Sequence, residues 1–121
     1  MKIGEFVKRC KTTKDTVRYY EELALLQPDT SNRYKAYNQK NLDDFMAIKE
    51  MQCLGLSLKV IQNVFEMKKK NGCGSQELIR DVTKALEDQE ARLMNEEIRI
   101  HTQLEQLRLL SGELQSLIVE K

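Results

Sequence analysis

The chain has 121 residues, 40% hydrophobic and 32% charged, enough for one small domain and an extended element. It holds no run of about 18 apolar residues, which argues against a membrane span, and Met1-Lys2-Ile3-Gly4-Glu5 lacks the apolar stretch of a signal peptide, so a cytoplasmic protein is expected. A net charge of +1 gives no reason to expect nucleic acid, but residues 1–74 carry fourteen Lys/Arg against nine Asp/Glu, and residues 75–121 six against ten.

Ile3, Phe6, Val7 and Cys10 recur at helical spacing and predict a short first helix, closed by a Lys11-Thr12 turn. Thr13 suits the N-cap of a second helix that runs to about Leu25. Val17, Tyr20 and Ala24 share one of its faces, and Asp15, Arg18, Tyr19 and Glu22 share the opposite one. Tyr20 is therefore the packing tyrosine and Tyr19 the outward one. Pro28 and Asp29-Thr30-Ser31-Asn32 form a loop, after which Tyr34, Lys35, Ala36 and Tyr37 suit a short strand in a small hairpin. Helix and hairpin both offer cations and hydroxyls while keeping an apolar back, which is how a winged helix-turn-helix holds DNA.

Asn41 is expected to cap a third helix, with Leu42, Phe45, Met46 and Cys53 on its apolar side and Gly55 at its end. Ser57 caps a fourth, whose inner face is Leu58, Ile61, Val64 and Phe65. Lys68-Lys69-Lys70 then place positive charge at the negative end of its dipole, and Gly72 stops it.

Beyond Ser75 the period changes. Ile79, Leu86, Leu93, Ile100, Leu107 and Leu114 recur every seventh residue. Val82, Leu110 and Leu117 fill the partner position at the ends, and Gln89, Glu96 and Gln103 fill it in the middle. A helix of roughly 45 residues, about 65 Å long, cannot cover such a seam alone and calls for a partner helix. Its polar middle disfavours a simple parallel zipper, and Ser111-Gly112 permits a break. The fold class expected is mainly α, with a winged helix-turn-helix domain over residues 1–70 and a dimerisation helix over residues 75–119.

Ile3-Gly4-Glu5, Thr16-Val17-Arg18-Tyr19-Tyr20-Glu21, Leu25-Leu26, Tyr34-Lys35-Ala36-Tyr37 and Leu54-Gly55-Leu56-Ser57-Leu58 occur in order at the spacings of a known family. Over roughly residues 2–68 the chain resembles the amino-terminal domain of MerR-type bacterial transcription regulators, and the following helix resembles theirs in layout. The resemblance implies a homodimer joined by an antiparallel coiled coil and bound to a pseudo-palindromic operator in double-stranded promoter DNA. It implies distortion of that DNA in response to an effector, so that the promoter realigns for RNA polymerase.

By position, the resemblance assigns Thr13, Lys14, Asp15, Thr16, Arg18 and Tyr19 to the helix that enters the major groove. Arg33, Tyr34, Lys35 and Tyr37 would form the first wing, and Ser57 and Lys59 the second. Tyr37 serves equally well as a core residue, and Glu21 is expected to pair with a cation. The family often has glycine where this chain has Arg33.

The family's metal-sensing branch pairs a cysteine at the start of the dimerisation helix with later cysteines. Cys73 matches the first, but no cysteine follows it, so neither a metal nor another cofactor is expected. Cys73, between two glycines and near Lys68–Lys70, is the candidate effector thiol. Cys10 and Cys53 lie on apolar stripes and are expected in the core. His101 has no partner at a diagnostic spacing, and no catalytic site is expected. The alternative is a coiled-coil protein-interaction module with a degenerate winged head.

Overall fold

A computed structural model describes residues 1–72 and 74–118; Cys73, the candidate effector thiol, lies outside the described residues. The order of elements is α1 (Ile3–Cys10), α2 (Lys14–Glu22), α3 (Gln39–Cys53), α4 (Leu58–Asn71) and α5 (Gln76–Ser116). The fold is mainly α, as the periodicity predicts. By contacts the chain divides into two units, Met1–Val82 and Thr83–Lys121.

The core of the first unit gathers Phe6 and Cys10 of α1, Val17 and Tyr20 of α2, Phe45 and Ile48 of α3, and Ile61 and Phe65 of α4. Leu25, Leu26, Tyr37 and Leu56 enter it from the connections. Phe6 lies at its centre, stacked on Tyr37 at 4.5 Å between ring centroids and set edge-on to Phe45 at 6.1 Å. Burying each such side chain stabilises the fold by roughly 1.5–3 kcal/mol. Cys10 is fully buried, as expected, and burial pushes its thiol pKa up against a smaller opposing effect of Lys49.

Helix α2 stops earlier than its apolar pattern predicts. At the end of α2, Leu25 N–H donates to the Tyr20 carbonyl and Ala24 N–H to the Glu21 carbonyl, with Ala24 in the left-handed region at φ 60°. This is the Schellman stop, so α2 ends at Glu22, short of the expected Leu25. Ala24 consequently leaves the inner face and is exposed, while Leu25 and Leu26 turn into the core. The α1 end repeats the pattern with Lys11 at φ 54°, and the α3 end repeats it with Gly55 at φ 87°. Only the last carries the glycine that announces such a stop in a sequence.

The cap of α3 is Asn38, not Asn41. Asn38 Oδ1 accepts from Asn41 N–H and Asn41 Oδ1 accepts from Asn38 N–H, both at 3.0 Å, a reciprocal capping box. Asn41 is buried, and its side-chain amide also donates to the Gln27 carbonyl at 3.2 Å. The buried stripe of α3 is Asn41, Asp44, Phe45 and Ile48, which leaves Met46 and Cys53 exposed where a core role was expected. Two polar members, each bonded, widen that stripe on a side apolar periodicity does not see.

The hairpin expected for the wing reduces to one bridge. Asp29 and Ala36 exchange backbone hydrogen bonds of 2.9 and 2.8 Å, and no further residue pair extends them among the described residues. Ser31 N–H turns back onto the Asp29 carboxylate at 2.9 Å, and Tyr37 N–H donates to the Met1 carbonyl at 2.7 Å. Both neighbours of the bridge thus have other partners.

Ser57 caps α4 by accepting from Val60 N–H at 3.2 Å, as expected. Lys68, from the basic end of that helix, bonds the buried Asp44 at 3.3 Å. Helix α5 runs unbroken through Ser111 and Gly112 for 41 residues, about 60 Å. Its heptad leucines and isoleucines are bare: Leu93 is 49%, Ile100 49%, Leu107 63% and Leu114 56% exposed. None of the described helices is long and apolar enough to cross a membrane.

Two outcomes follow from this packing. Ala24→Gly should raise stability by roughly 0.5–1 kcal/mol, because glycine takes the left-handed conformation without the Cβ clash; urea unfolding monitored by helical dichroism measures it. Tyr37 is the second. Burial, then the charge and hydrogen bond of Glu21, push its phenol from the ordinary 10 up to about 12, with Arg18 opposing. A raised phenol pKa gives stability that is full below pH 10 and is lost as the pH climbs toward 12. Burial also raises Tyr20, so Tyr37→Phe should remove part of the alkaline fall in urea midpoint between pH 10 and 12, not all of it.

Candidate nucleic-acid interface

Helix α2 has nine residues and two distinct sides. Val17 and Tyr20 are buried, and the Tyr20 hydroxyl donates to Gln52 Oε1 of α3 at 2.6 Å. On the other side Lys14, Asp15, Arg18 and Tyr19 are exposed, and Thr16 is half-buried. Thr13 caps the helix by accepting from Thr16 N–H at 3.2 Å, and its hydroxyl lies 3.0 Å from that of Thr16. The two threonines therefore order the first turn, which lies beside the exposed cations.

The end of α2 holds the wing loop. Glu21 Oε1 is 2.9 Å from Lys35 Nζ, and Glu21 Oε2 accepts from the Tyr37 hydroxyl at 3.1 Å. Glu21 thus pairs with a cation, as expected. Tyr37 is 1% exposed with its ring in the core, so among the wing candidates it is a structural anchor and not a surface contact. Arg33 is exposed, and Tyr34 is half-exposed with Lys2 Nζ 4.4 Å from its ring centroid. That cation–π contact, worth about 0.5–1 kcal/mol at an exposed site, brings in Lys2, which no sequence motif marks.

Ser57 and Lys59 are exposed at the start of α4. Because the Ser57 oxygen accepts from Val60, its hydroxyl proton remains available to an outside acceptor. The first amides of α4 lack partners one turn back and carry the positive end of the helix dipole, which suits phosphate. Gln62, one turn on, donates to the Leu23 carbonyl at the end of α2 at 3.2 Å, which couples this end of α4 to the α2 face.

Nothing in the sequence marks Gln52, Gln62 and Asn41 as the residues that join these elements. Long amides read as ordinary surface residues, and only burial reveals their bonds. Together the α2 face, the wing and the α4 start present Lys2, Lys14, Arg18, Arg33 and Lys59 with hydroxyls from Tyr19, Tyr34 and Ser57. That chemistry suits a polyanion. Among the described residues no three His, Cys, Asp or Glu side chains come together in a way that could hold a metal ion.

Residues 1–68 match the family described as MerR HTH family regulatory protein. The mercuric resistance operon regulatory protein of Bacillus cereus is 40% identical over 65 residues, 52% of this chain and 49% of that protein, so the chain spans about half its length. An uncharacterized HTH-type transcriptional regulator of Pseudomonas aeruginosa is 30% identical over 120 residues, 98% of this chain and 83% of that one. The crystal structure of a MerR family transcriptional regulator from Bacillus cereus, 24% identical, shares the fold with a TM-score of 0.68 over 100% of this chain and 87% of its own. With its core, its two-sided second helix and these matches, the chain belongs to the MerR family of HTH transcriptional regulators.

Proposed function

We propose that the protein binds a pseudo-palindromic site in promoter DNA as a homodimer and regulates transcription by deforming that DNA in response to an effector. The observation that carries this reading is the pairing of two bare surfaces of different chemistry. One is the cationic and hydroxylated side of α2 with the wing; the other is the uncovered heptad seam of α5.

In this reading residues 1–70 form the DNA-binding domain. Helix α2 enters the major groove with Lys14, Asp15, Thr16, Arg18 and Tyr19, its first turn ordered by Thr13. Arg33 and Tyr34 of the first wing, and Ser57 and Lys59 of the second, hold the flanking phosphates. Residues 75–119 pair with a second copy through Ile79, Val82, Leu86, Leu93, Ile100, Leu107, Leu110, Leu114 and Leu117. An antiparallel arrangement places Gln89, Glu96 and Gln103 opposite different neighbours rather than opposite their own copies. The acidic excess of residues 75–121 keeps that helix away from phosphate.

Deformation of the duplex is indirect readout, in which backbone contacts on both sides hold a bend that costs about 1–6 kcal/mol. The deformed promoter is then presented to RNA polymerase in the cytoplasm. Cys73 is the candidate thiol for the effector.

Nuclease footprinting on the promoter beside the gene tests the reading: a protected palindrome supports it, and protection indifferent to sequence overturns it. Arg18→Ala should weaken binding by about 1–3 kcal/mol, roughly fivefold to 150-fold, without dissociating the dimer. Full affinity in that variant would show that the wrong side of α2 was assigned. Leu107→Asp should instead yield monomers at micromolar concentration in sedimentation equilibrium and lose binding to the full palindrome.

A further inference from the structure

We propose that Glu21 withholds Lys35 from DNA: its carboxylate is the standing counter-ion of that ammonium and locks the wing to α2, leaving Arg33 as the cation the wing offers to phosphate. This rests on the DNA-binding reading above and sharpens it. The wing carries Arg33 and Lys35 within three residues, and sequence alone gives both the same role.

The geometry separates them. The Glu21 side chain is only 11% exposed, and the wing takes both of its oxygens, with Lys35 Nζ at 2.9 Å and the Tyr37 hydroxyl at 3.1 Å. If Lys35 moved to a phosphate, a largely desolvated carboxylate would keep one neutral hydroxyl as its direct donor. Tyr37 cannot follow, since its ring is stacked on Phe6 in the core. A phosphate outside the protein has solvent counter-ions to fall back on, whereas the Glu21 side chain is only 11% exposed to them. Arg33 has no carboxylate within ion-pair distance among the described residues and is free to turn outward. Glu21 is thus a positioning residue, and it sets the wing before DNA arrives.

The salt dependence of promoter binding tests this, because each neutralised phosphate adds about 0.9 to the slope of log affinity against log salt. A homodimer has two wings, so one lysine gained or lost per protomer changes the slope by about 1.8. Lys35→Met should leave the slope of the parent protein unchanged. Glu21→Gln keeps an acceptor for Tyr37 but frees the ammonium, and should steepen the slope by about 1.8. The double variant should return to the parent value.

A slope shallower by about 1.8 in Lys35→Met would overturn the proposal, as would an unchanged slope in folded Glu21→Gln. Should Glu21→Gln lose its helical dichroism, Lys35→Met alone decides, its side chain being half-exposed. A parent protein with no salt-sensitive promoter binding would remove the DNA reading as well, an outcome distinct from either slope.

Discussion

A helix of nine residues has no stability of its own in water, where about 12–15 residues are marginal even for favourable sequences. Helix α2 exists because its inner side is fastened: Val17 and Tyr20 in the core, Thr13 at its start, the left-handed Ala24 at its end, and the Tyr20 hydroxyl on Gln52. That division frees the outer side. Lys14, Arg18 and Tyr19 are exposed outside the core, so their side chains are open to a ligand. A surface of this kind can read a ligand because folding has already been taken care of behind it.

The long helix obeys the opposite constraint. Its Leu and Ile seam is largely exposed among the described residues, and an apolar stripe of that length marks an interaction surface. In the proposed reading head and helix take different partners, one polyanionic and one apolar. The charge division along the sequence, basic before residue 75 and acidic after it, suits that separation. Nearly neutral overall, the molecule is strongly polarised.

The heptad seam, the cap at Ser57 and the two-sidedness of Tyr19 and Tyr20 were legible in the sequence, since each follows from a period or a residue type that acts locally. What was not legible follows from bonds made at a distance. Ala24 sits where glycine is the usual signal, so the end of α2 was placed too late. Asn41 looks like a helix cap, but its second bond to the Gln27 carbonyl draws it inside, and Cys53 is turned out with the same rotation of α3. The wing reads as a hairpin from Tyr34 and Tyr37, yet Tyr37 pairs with Met1 and the ladder stops at one rung. A sequence lists donors and acceptors without saying which of them meet.

Those distant bonds also bear on mechanism. A protein that bends DNA must be stiffer than the duplex, or the strain relaxes into the protein. In the head the joints between elements are single polar bonds backed by packing: Tyr20 to Gln52 between α2 and α3, Gln62 to the Leu23 carbonyl between α4 and α2, Glu21 to Lys35 and Tyr37 at the wing, and Asn41 to the Gln27 carbonyl at the linker. Each is worth only about 1 kcal/mol net when made. Breaking one strands a shielded donor or acceptor at about 1–3 kcal/mol, comparable with the cost of a modest bend in DNA. No buried side-chain nitrogen or oxygen among the described residues lacks a partner, so every joint is closed. In the proposed reading, the amides and the carboxylate that look incidental in the sequence would let a small head push on a duplex without yielding first.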